Sequence, residues 1–398
     1  MRKLFIISII LFGSLHHTPA QNIDGVLYNI EQNNVSLRAQ KSLGKAQRLE
    51  IRAGNMPEGP EVEYMHSWQK NSSETVSEIN VTQGFDFPTA YFARRKAAIT
   101  KEEQLGHELN TFRQDLLLKA KLLCIDIIAL RQEYALLKIR TENTRRMATS
   151  MDRALKEGEV TSLEKNRADI ELANMQNQCG LKKIELESAL EQLQNLNGGN
   201  PIEFNDSLFA LPEEVIPFES MKKEYETRAP QLLSLLSEKK GAEADLKVSR
   251  AGALPGITVG YHHEIGTGEK LNGVIVGISL PLWKSRREIK RAKAQIEYAD
   301  ARLEDERINR ESTLKELYGK YTTLKTTLEQ FIRIDLQQEP AMRYITEAYR
   351  TGILNETDFL SEVNALYEVK SQRIAIERDL HKVIAVSYTH LRAHETRH

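Results

Sequence analysis

The run from Pro88 to Gly158 constrains this chain more than any other feature. A proline after a strand-like segment opens a very long heptad helix, and a glycine stops it. The run occurs twice. Its second copy extends from Pro281 to Gly352, with the prolines 193 positions apart (281 − 88) and the glycines 194 (352 − 158). Two such halves make an internal duplication, which sets the frame for every other segment. In the first copy Leu105, Leu109, Phe112, Leu116, Ala120, Leu123, Ile127, Leu130, Tyr134 and Leu137 recur at steps of mostly three and four, a mean near the coiled-coil value. The 70 residues from Pro88 to Gly158 (158 − 88) reach on the order of 100 Å if helical. No compact globular domain needs such a rod, and a coiled-coil scaffold is its plainest reading.

The 398 residues carry a formal net charge of −1, so no basic face points to nucleic acid. The N-terminal segment has Arg2 and Lys3, an apolar core from Leu4 to Leu15 and Thr18-Pro19-Ala20 before Gln21. It reads as a secretory signal peptide, residues 1–20, and is shorter than a spanning helix requires. Gln21 is not a cysteine, so no lipid on the mature N-terminus is expected. The most apolar later segment, Leu122 to Leu130, is short and contains Asp126. If the protein is membrane-embedded, strands must do it. Cys124 lies 34 residues before Gly158 and Cys179 lies 21 after it. In a simple helical hairpin that mismatch is roughly 20 Å, too far for a disulfide, so both are expected as free, buried thiols.

In chain order, a first helix is expected from Ile23 to Arg52, broken by the two prolines between Gly54 and Pro60. The period then changes to two. Val62, Tyr64, His66 and Trp68 fall on one face of a strand at 61–69, and Ile79, Val81, Gln83, Phe85 and Phe87 on one face of a return strand at 76–87. After Gly158 a helix returns to Leu196 and ends at Asn197-Gly198-Gly199-Asn200-Pro201. Residues 21–200 form the first repeat, 201–217 a proline-bearing connector, and 218–386 the second repeat. The second repeat has a helix interrupted near Pro230, strands at 256–265 and 272–282 separated by a turn at Gly266 to Gly268, and a long helix with Glu306 and Arg310 on its seam and a kink expected at Pro340. A last helix should run from Asp358 to about Val386.

Each strand is long enough to cross a membrane at the usual tilt, and the two tryptophans, Trp68 and Trp283, stand at strand ends where a barrel places its interfacial aromatics, although two tryptophans packed in a soluble core would look the same. Four strands do not close alone. Oligomerisation must hide their edges; two copies supply eight strands and fill the interior with side chains, whereas three supply twelve and leave a passage.

These features together resemble the TolC-like outer-membrane efflux proteins. The residues that carry the likeness are Arg228-Ala229-Pro230-Gln231-Leu232, Leu254-Pro255 before a strand, Gly277-Ile278-Ser279-Leu280-Pro281-Leu282, and the turns Glu157-Gly158-Glu159-Val160 and Thr351-Gly352-Ile353-Leu354, in that family's order. The resemblance implies a mainly α fold with a small membrane β-barrel, a homotrimer forming a twelve-stranded barrel on a hollow twelve-helix α-barrel in the periplasm of a Gram-negative bacterium. It also implies partners: a periplasmic adaptor (membrane fusion protein), an inner-membrane pump and outer-membrane lipid.

By the same resemblance the tips Gly158, Glu159, Val160 and Gly352, Ile353, Leu354 dock the adaptor and constrict the channel. Helix capping is an equally good use of both glycines. Glu164 matches the family's latching acid and Tyr349 its tyrosine, but Leu354 stands where the family has an arginine, so the usual ion pair cannot form. Asp358 matches a carboxylate ring at the aperture, and Ser361 stands where a second ring is found. Asp358 would serve as well as a first-turn residue stabilised by its helix dipole.

Nothing in the chain calls for catalysis or a cofactor. His262, His263 and Glu264 alternate across a strand, a poor arrangement for a metal. His390 and His394 have helical metal-site spacing but lie in Ser387 to His398, where the heptad stops and the residues look like translated non-native sequence. The expected function is a passive exit duct of a tripartite efflux or type I secretion system; the alternative is an exported coiled-coil structural protein without a channel. Eight methionines show no soft-metal cluster, and drug, metal ion, polypeptide and lipid cargoes stay open.

Overall fold

A computed structural model describes residues 22–68, 75–266, 270–281, 284–336 and 338–391. The expected leader, part of the Gly266 to Gly268 turn, Trp283 and His394 lie outside the described residues, as does Gln337 beside the kink expected at Pro340. The elements run α1 Ile23–Asn33, α2 Val35–Ala53, β1 Glu61–Trp68, β2 Thr75–Phe85, α3 Pro88–Glu157, α4 Ser162–Leu196, α5 Phe218–Arg228, α6 Pro230–Ala251, β3 Gly256–Ile265, β4 Lys270–Ser279, α7 Lys284–Leu336, α8 Gln338–Arg350 and α9 Glu356–Leu391. None of the described helices is long and apolar enough to cross a membrane.

The chain divides into two compact units that do not coincide with the sequence repeats. One takes the N-terminal segment to Asn34 with Ala120–Ala210 and Ala341–Ala375; the other takes Val35–Lys119, Leu211–Pro340 and the segment from Ile376. Each draws on both halves: α3, at 70 residues, supplies a first-half stretch to each, and α9 supplies a second-half stretch to each.

One correction concerns the start. The helix expected from Ile23 to Arg52 is two helices parted at Asn34, whose backbone is extended (φ −62°, ψ 122°). The second copy breaks in the same way at Ala229 (φ −65°, ψ 120°). There Pro230 forces the residue before it out of the helical region. In the first copy a long-range contact does the same: Asn34 Nδ2 donates to Leu196 O at 2.8 Å and Asn33 Nδ2 to Asn197 Oδ1 at 3.0 Å. A proline is visible in sequence, and a partner 162 residues away is not.

In the unit that holds the sheet, α5, α6, α7 and α9 bury a core of Met221, Tyr225, Leu232, Leu314, Tyr321, Leu380 and Ile384. Glu306 and Arg310, polar interruptions of the second seam, have partners there. Arg310 donates to Glu306 Oε1 at 2.8 Å and to Gln231 Oε1 at 2.7 Å, and Tyr225 Oη donates to Glu306 Oε1 at 2.8 Å. Burial first, and then that hydrogen bond, push the Tyr225 phenol above its ordinary range, so it remains a donor.

The last helix continues past Val386 to Leu391, a second correction. The Ser387 and Thr389 hydroxyls each donate to the carbonyl four residues back at 2.8 Å, so polar residues that end the apolar pattern do not end the helix. Tyr388 Oη also donates to Glu214 O at 2.6 Å. In the other unit, Arg131 binds the connector, donating to the carbonyls of Phe204 and Asp206 with its guanidinium 5.4 Å from the Phe204 ring. Both cysteines are free. Cys124 is buried, which pushes its thiol up to about 12, while Cys179 is half-buried rather than enclosed.

Candidate functional site

The two tips share one backbone design. At the end of α3, Glu159 N donates to Ala154 O at 2.9 Å and Gly158 N to Leu155 O at 3.2 Å; before α9, Ile353 N donates to Ala348 O at 2.9 Å and Gly352 N to Tyr349 O at 3.1 Å. This is the Schellman termination, and both glycines have φ +75°, where any other residue is strained. Three residues later each tip caps the next helix. Thr161 and Glu164 form a reciprocal capping box, with Thr161 N donating to Glu164 Oε2 at 2.7 Å and Glu164 N to Thr161 Oγ1 at 3.3 Å. Asp358 N donates to Asn355 Oδ1 at 2.9 Å, and Asn355 Nδ2 to Asp358 Oδ2 at 2.8 Å.

Glu164 and Asp358 are therefore the same position of the repeat, six residues past each glycine. Both carboxylates are engaged at helix N-termini, where the dipole favours negative charge. The bonds from the Thr161 backbone and then its hydroxyl hold the Glu164 carboxyl below its ordinary value. Its capping contribution is thus present at neutral pH and lost only as pH falls through that lowered value.

Tyr349 takes a different environment. Its ring stacks on Phe359 with centroids 4.4 Å apart. It also packs, with Met147, Val160 and Leu172, against the buried Ala148, Met151 and Ala168 of α3 and α4. Leu354, in the expected arginine position, is half-buried, while Ile353, Glu159, Asp358 and Ser361 are exposed.

The sheet is a second candidate surface. It is an antiparallel meander in the order β1-β2-β3-β4, and the β2–β3 ladder joins the two halves, with Val81 opposite Tyr261 and Phe85 opposite Ile257. Alternation and register place Val62, Tyr64, Trp68, Ile79, Val81, Phe85, Ile257, Val259, Tyr261, Val274, Val276 and Ile278 on one face, all exposed. The opposite face carries Glu61, Glu63, Glu78, Asn80, Thr82, Thr258, His262 and Glu264, together with the apolar Met65, Val76, Leu271 and Ile275 and glycines at 84, 256, 260, 273 and 277. Among the described residues it has no lysine or arginine. His262 Nδ1 lies 2.7 Å from Asn80 Oδ1 and Nε2 3.6 Å from Glu264 Oε2, and no group of three or more side chains among the described residues could hold a metal. β1 and β4 are the sheet's edges. A soluble protein does not expose an apolar face of this extent beside open edges.

No family model matches the chain. Over 240 residues, 58% of the chain, it is 24% identical to the cobalt-zinc-cadmium resistance protein CzcC of Cupriavidus metallidurans, and it spans 56% of that relative's length. Solved structures match over nearly all of it. A membrane protein from Pseudomonas aeruginosa superposes with a TM-score of 0.79 over 93% of both chains at 15% identity. The CmeC outer membrane channel of Campylobacter jejuni gives 0.77 over 94% of this chain and 86% of its own at 16% identity. CusC, described with its transmembrane channel formation, gives 0.70 over 95% of both at 15% identity. This chain has the fold of the TolC-like outer-membrane channels.

Within the TolC-like fold, Trp68 stands exposed at the end of β1 away from the helices, on the apolar face. Sequence reading missed the aromatics at the helix-proximal end, where Phe85, Phe87 and Phe92 are exposed beside the start of α3. The signal was present, since all three flank Pro88, but only tryptophans were weighed. It also missed Thr161 and Asn355, whose capping roles follow from their spacing to Glu164 and Asp358.

Proposed function

We propose that this chain is the outer-membrane exit channel of a tripartite export system in a Gram-negative bacterium, a passive duct that performs no catalysis. The observation that carries this reading is the four-stranded sheet with one mainly apolar face, one mainly polar face and two open edges. Lipid fits the apolar face, water fits the polar one, and further copies satisfy the edges. Three copies give twelve strands around an aqueous passage. The tips at Gly158, Glu159, Val160 and at Gly352, Ile353, Leu354 then meet a periplasmic adaptor coupled to an inner-membrane pump. Asp358, whose cap occupies one carboxylate oxygen, and the exposed Ser361 line the aperture.

For cargo, the relation to CzcC favours divalent metal cations, and the carboxylates of Glu61, Glu63, Glu78 and Glu264 on the lumenal face suit positive charge. In this reading the metal is a passenger, and among the described residues no group of three or more His, Cys, Asp or Glu side chains could hold it.

Density-gradient fractionation of cells producing the chain tests the assignment. The expected result is a heat-labile oligomer in the outer-membrane fraction. Recovery as soluble protein after export would replace the duct with a coiled-coil structural protein.

A further inference from the structure

We propose that the basic start of α7, with Arg95 and Lys96 of α3, binds the headgroups of anionic phospholipids in the periplasmic leaflet of the outer membrane. The inference rests on the reading above that the sheet is membrane-embedded, and it names the lipid that its helix-proximal rim takes. Arg286, Arg287, Lys290, Arg291 and Lys293 are all exposed, and none makes an ion pair or side-chain hydrogen bond with another described residue. Glu288 is the one acid among residues 286–293, so this segment carries +4 (five cations less one anion) in a chain whose total is −1. Further along the same helix the pattern changes: Arg302, Arg310, Lys315, Lys320 and Lys325 each meet a carboxylate within 3.1 Å. Positive charge is balanced there and left unbalanced beside the sheet.

Depth and company both point to lipid. β4 ends at Ser279 and α7 starts at Lys284, so Lys293, nine residues into the helix, lies within roughly 15 Å of its start. A headgroup layer and one Debye length at physiological salt together span about the same depth. The first copy adds apolar anchors. Buried Ala97 and Ala292 are 195 positions apart (292 − 97), and at that spacing Phe92 corresponds to Arg287, Arg95 to Lys290 and Lys96 to Arg291. Phe92 is 73% exposed, and Ile99, two turns on along the same helix face, is 54% exposed. An exposed ring and an exposed isoleucine beside Arg95 and Lys96 suit a membrane boundary, where apolar groups enter the acyl layer and cations stay at the phosphates. Phe85 and Phe87, also exposed, continue this apolar rim onto the sheet. A water-filled passage would give such groups no apolar partner, and a cationic lining would oppose the positively charged cargo favoured above.

Electron paramagnetic resonance of spin-labelled lipids around the reconstituted oligomer, paired with planar-bilayer recording, tests this surface. At low salt the oligomer should hold phosphatidylglycerol in preference to phosphatidylcholine, which carries the same phosphate without net charge. The expected preference is on the order of fivefold, the factor that one cation at an anionic surface supplies. It should fall toward one in about 1 M salt, where the Debye length is about 3 Å. The combined variant Arg286→Gln, Arg287→Gln, Lys290→Gln, Arg291→Gln and Lys293→Gln should lose the preference and conduct with unchanged ion selectivity. Arg286→Lys with Arg287→Lys and Arg291→Lys should keep it, as should Lys315→Gln with Lys320→Gln lower on α7. If the glutamine variant keeps its lipid preference and becomes more cation-selective, these side chains line the passage, and the proposal is overturned while the duct stands. A parent oligomer that conducts but shows no preference, or one that salt does not weaken, overturns it equally, whether or not the glutamine variant assembles. A parent protein that does not insert into bilayers removes the duct reading and this proposal with it.

Discussion

Gly260→Val should abolish the heat-labile oligomer, leaving monomer or degraded protein. Gly260 sits in the middle of β3 on the polar face, opposite Thr82 of β2. A Cβ there would lie 2.6 Å from Val81 O, 2.8 Å from Thr82 Cγ2 and 3.1 Å from Thr82 Cα. Two of those three atoms are backbone, so no rotamer change relieves the clash. The strands must part, and this ladder is the one that joins the two halves of the chain. Overpacking costs roughly 1–3 kcal/mol where side chains can yield; with backbone as the obstacle we expect about 3 kcal/mol or more. Gly277→Ala is the matched control on the same face. Its Cβ would meet Thr258 Cβ at 3.5 Å, an ordinary contact, and the oligomer should persist. Heat-modifiable migration on semi-native gels separates the cases, and normal assembly of Gly260→Val would contradict the register.

Arg310→Ala should be the most destabilising single change in the helical part of the sheet-bearing unit. The Arg310 and Glu306 side chains are 12% and 17% exposed, and Tyr225 donates to the same carboxylate oxygen. Removing the guanidinium strands a largely enclosed carboxylate, at an expected cost of about 3–5 kcal/mol. The double variant Glu306→Leu with Arg310→Leu should recover most of that loss, because neither charge remains to be desolvated. Thermal unfolding of the two proteins in one detergent tests this. Equal destabilisation of the single and double variants would show that the pair contributes more than its partners' desolvation.

The long helices, the strand alternation and the tip glycines were legible because each is a local pattern: a heptad, a period of two, a glycine at positive φ. Duplication strengthened every such reading, since Pro88 and Pro281, or Gly158 and Gly352, had to agree. What escaped was set by contacts between distant residues. The helix break at Asn34 depends on Leu196; the continuation to Leu391 has a local cause instead, hydroxyls that bond back to their own helix where the apolar pattern stops. At the tips, family likeness cast Glu164 and Asp358 in two roles, latch and ring. The repeat frame already made them equivalent, and the capping bonds show what that equivalence is for. Likeness casts Tyr349 as the family's latching tyrosine, and its ring packs on Phe359 and against buried residues of α3 and α4, contacts that sequence position alone does not show.

Assembled, this chain should act as a conduit. Purified heat-labile oligomer inserted into a planar bilayer should give discrete, persistent current steps proportional to voltage, with cations passing more readily than anions, and needing no nucleotide or ion gradient. A pure, correctly assembled oligomer that inserts and carries no current would contradict the account.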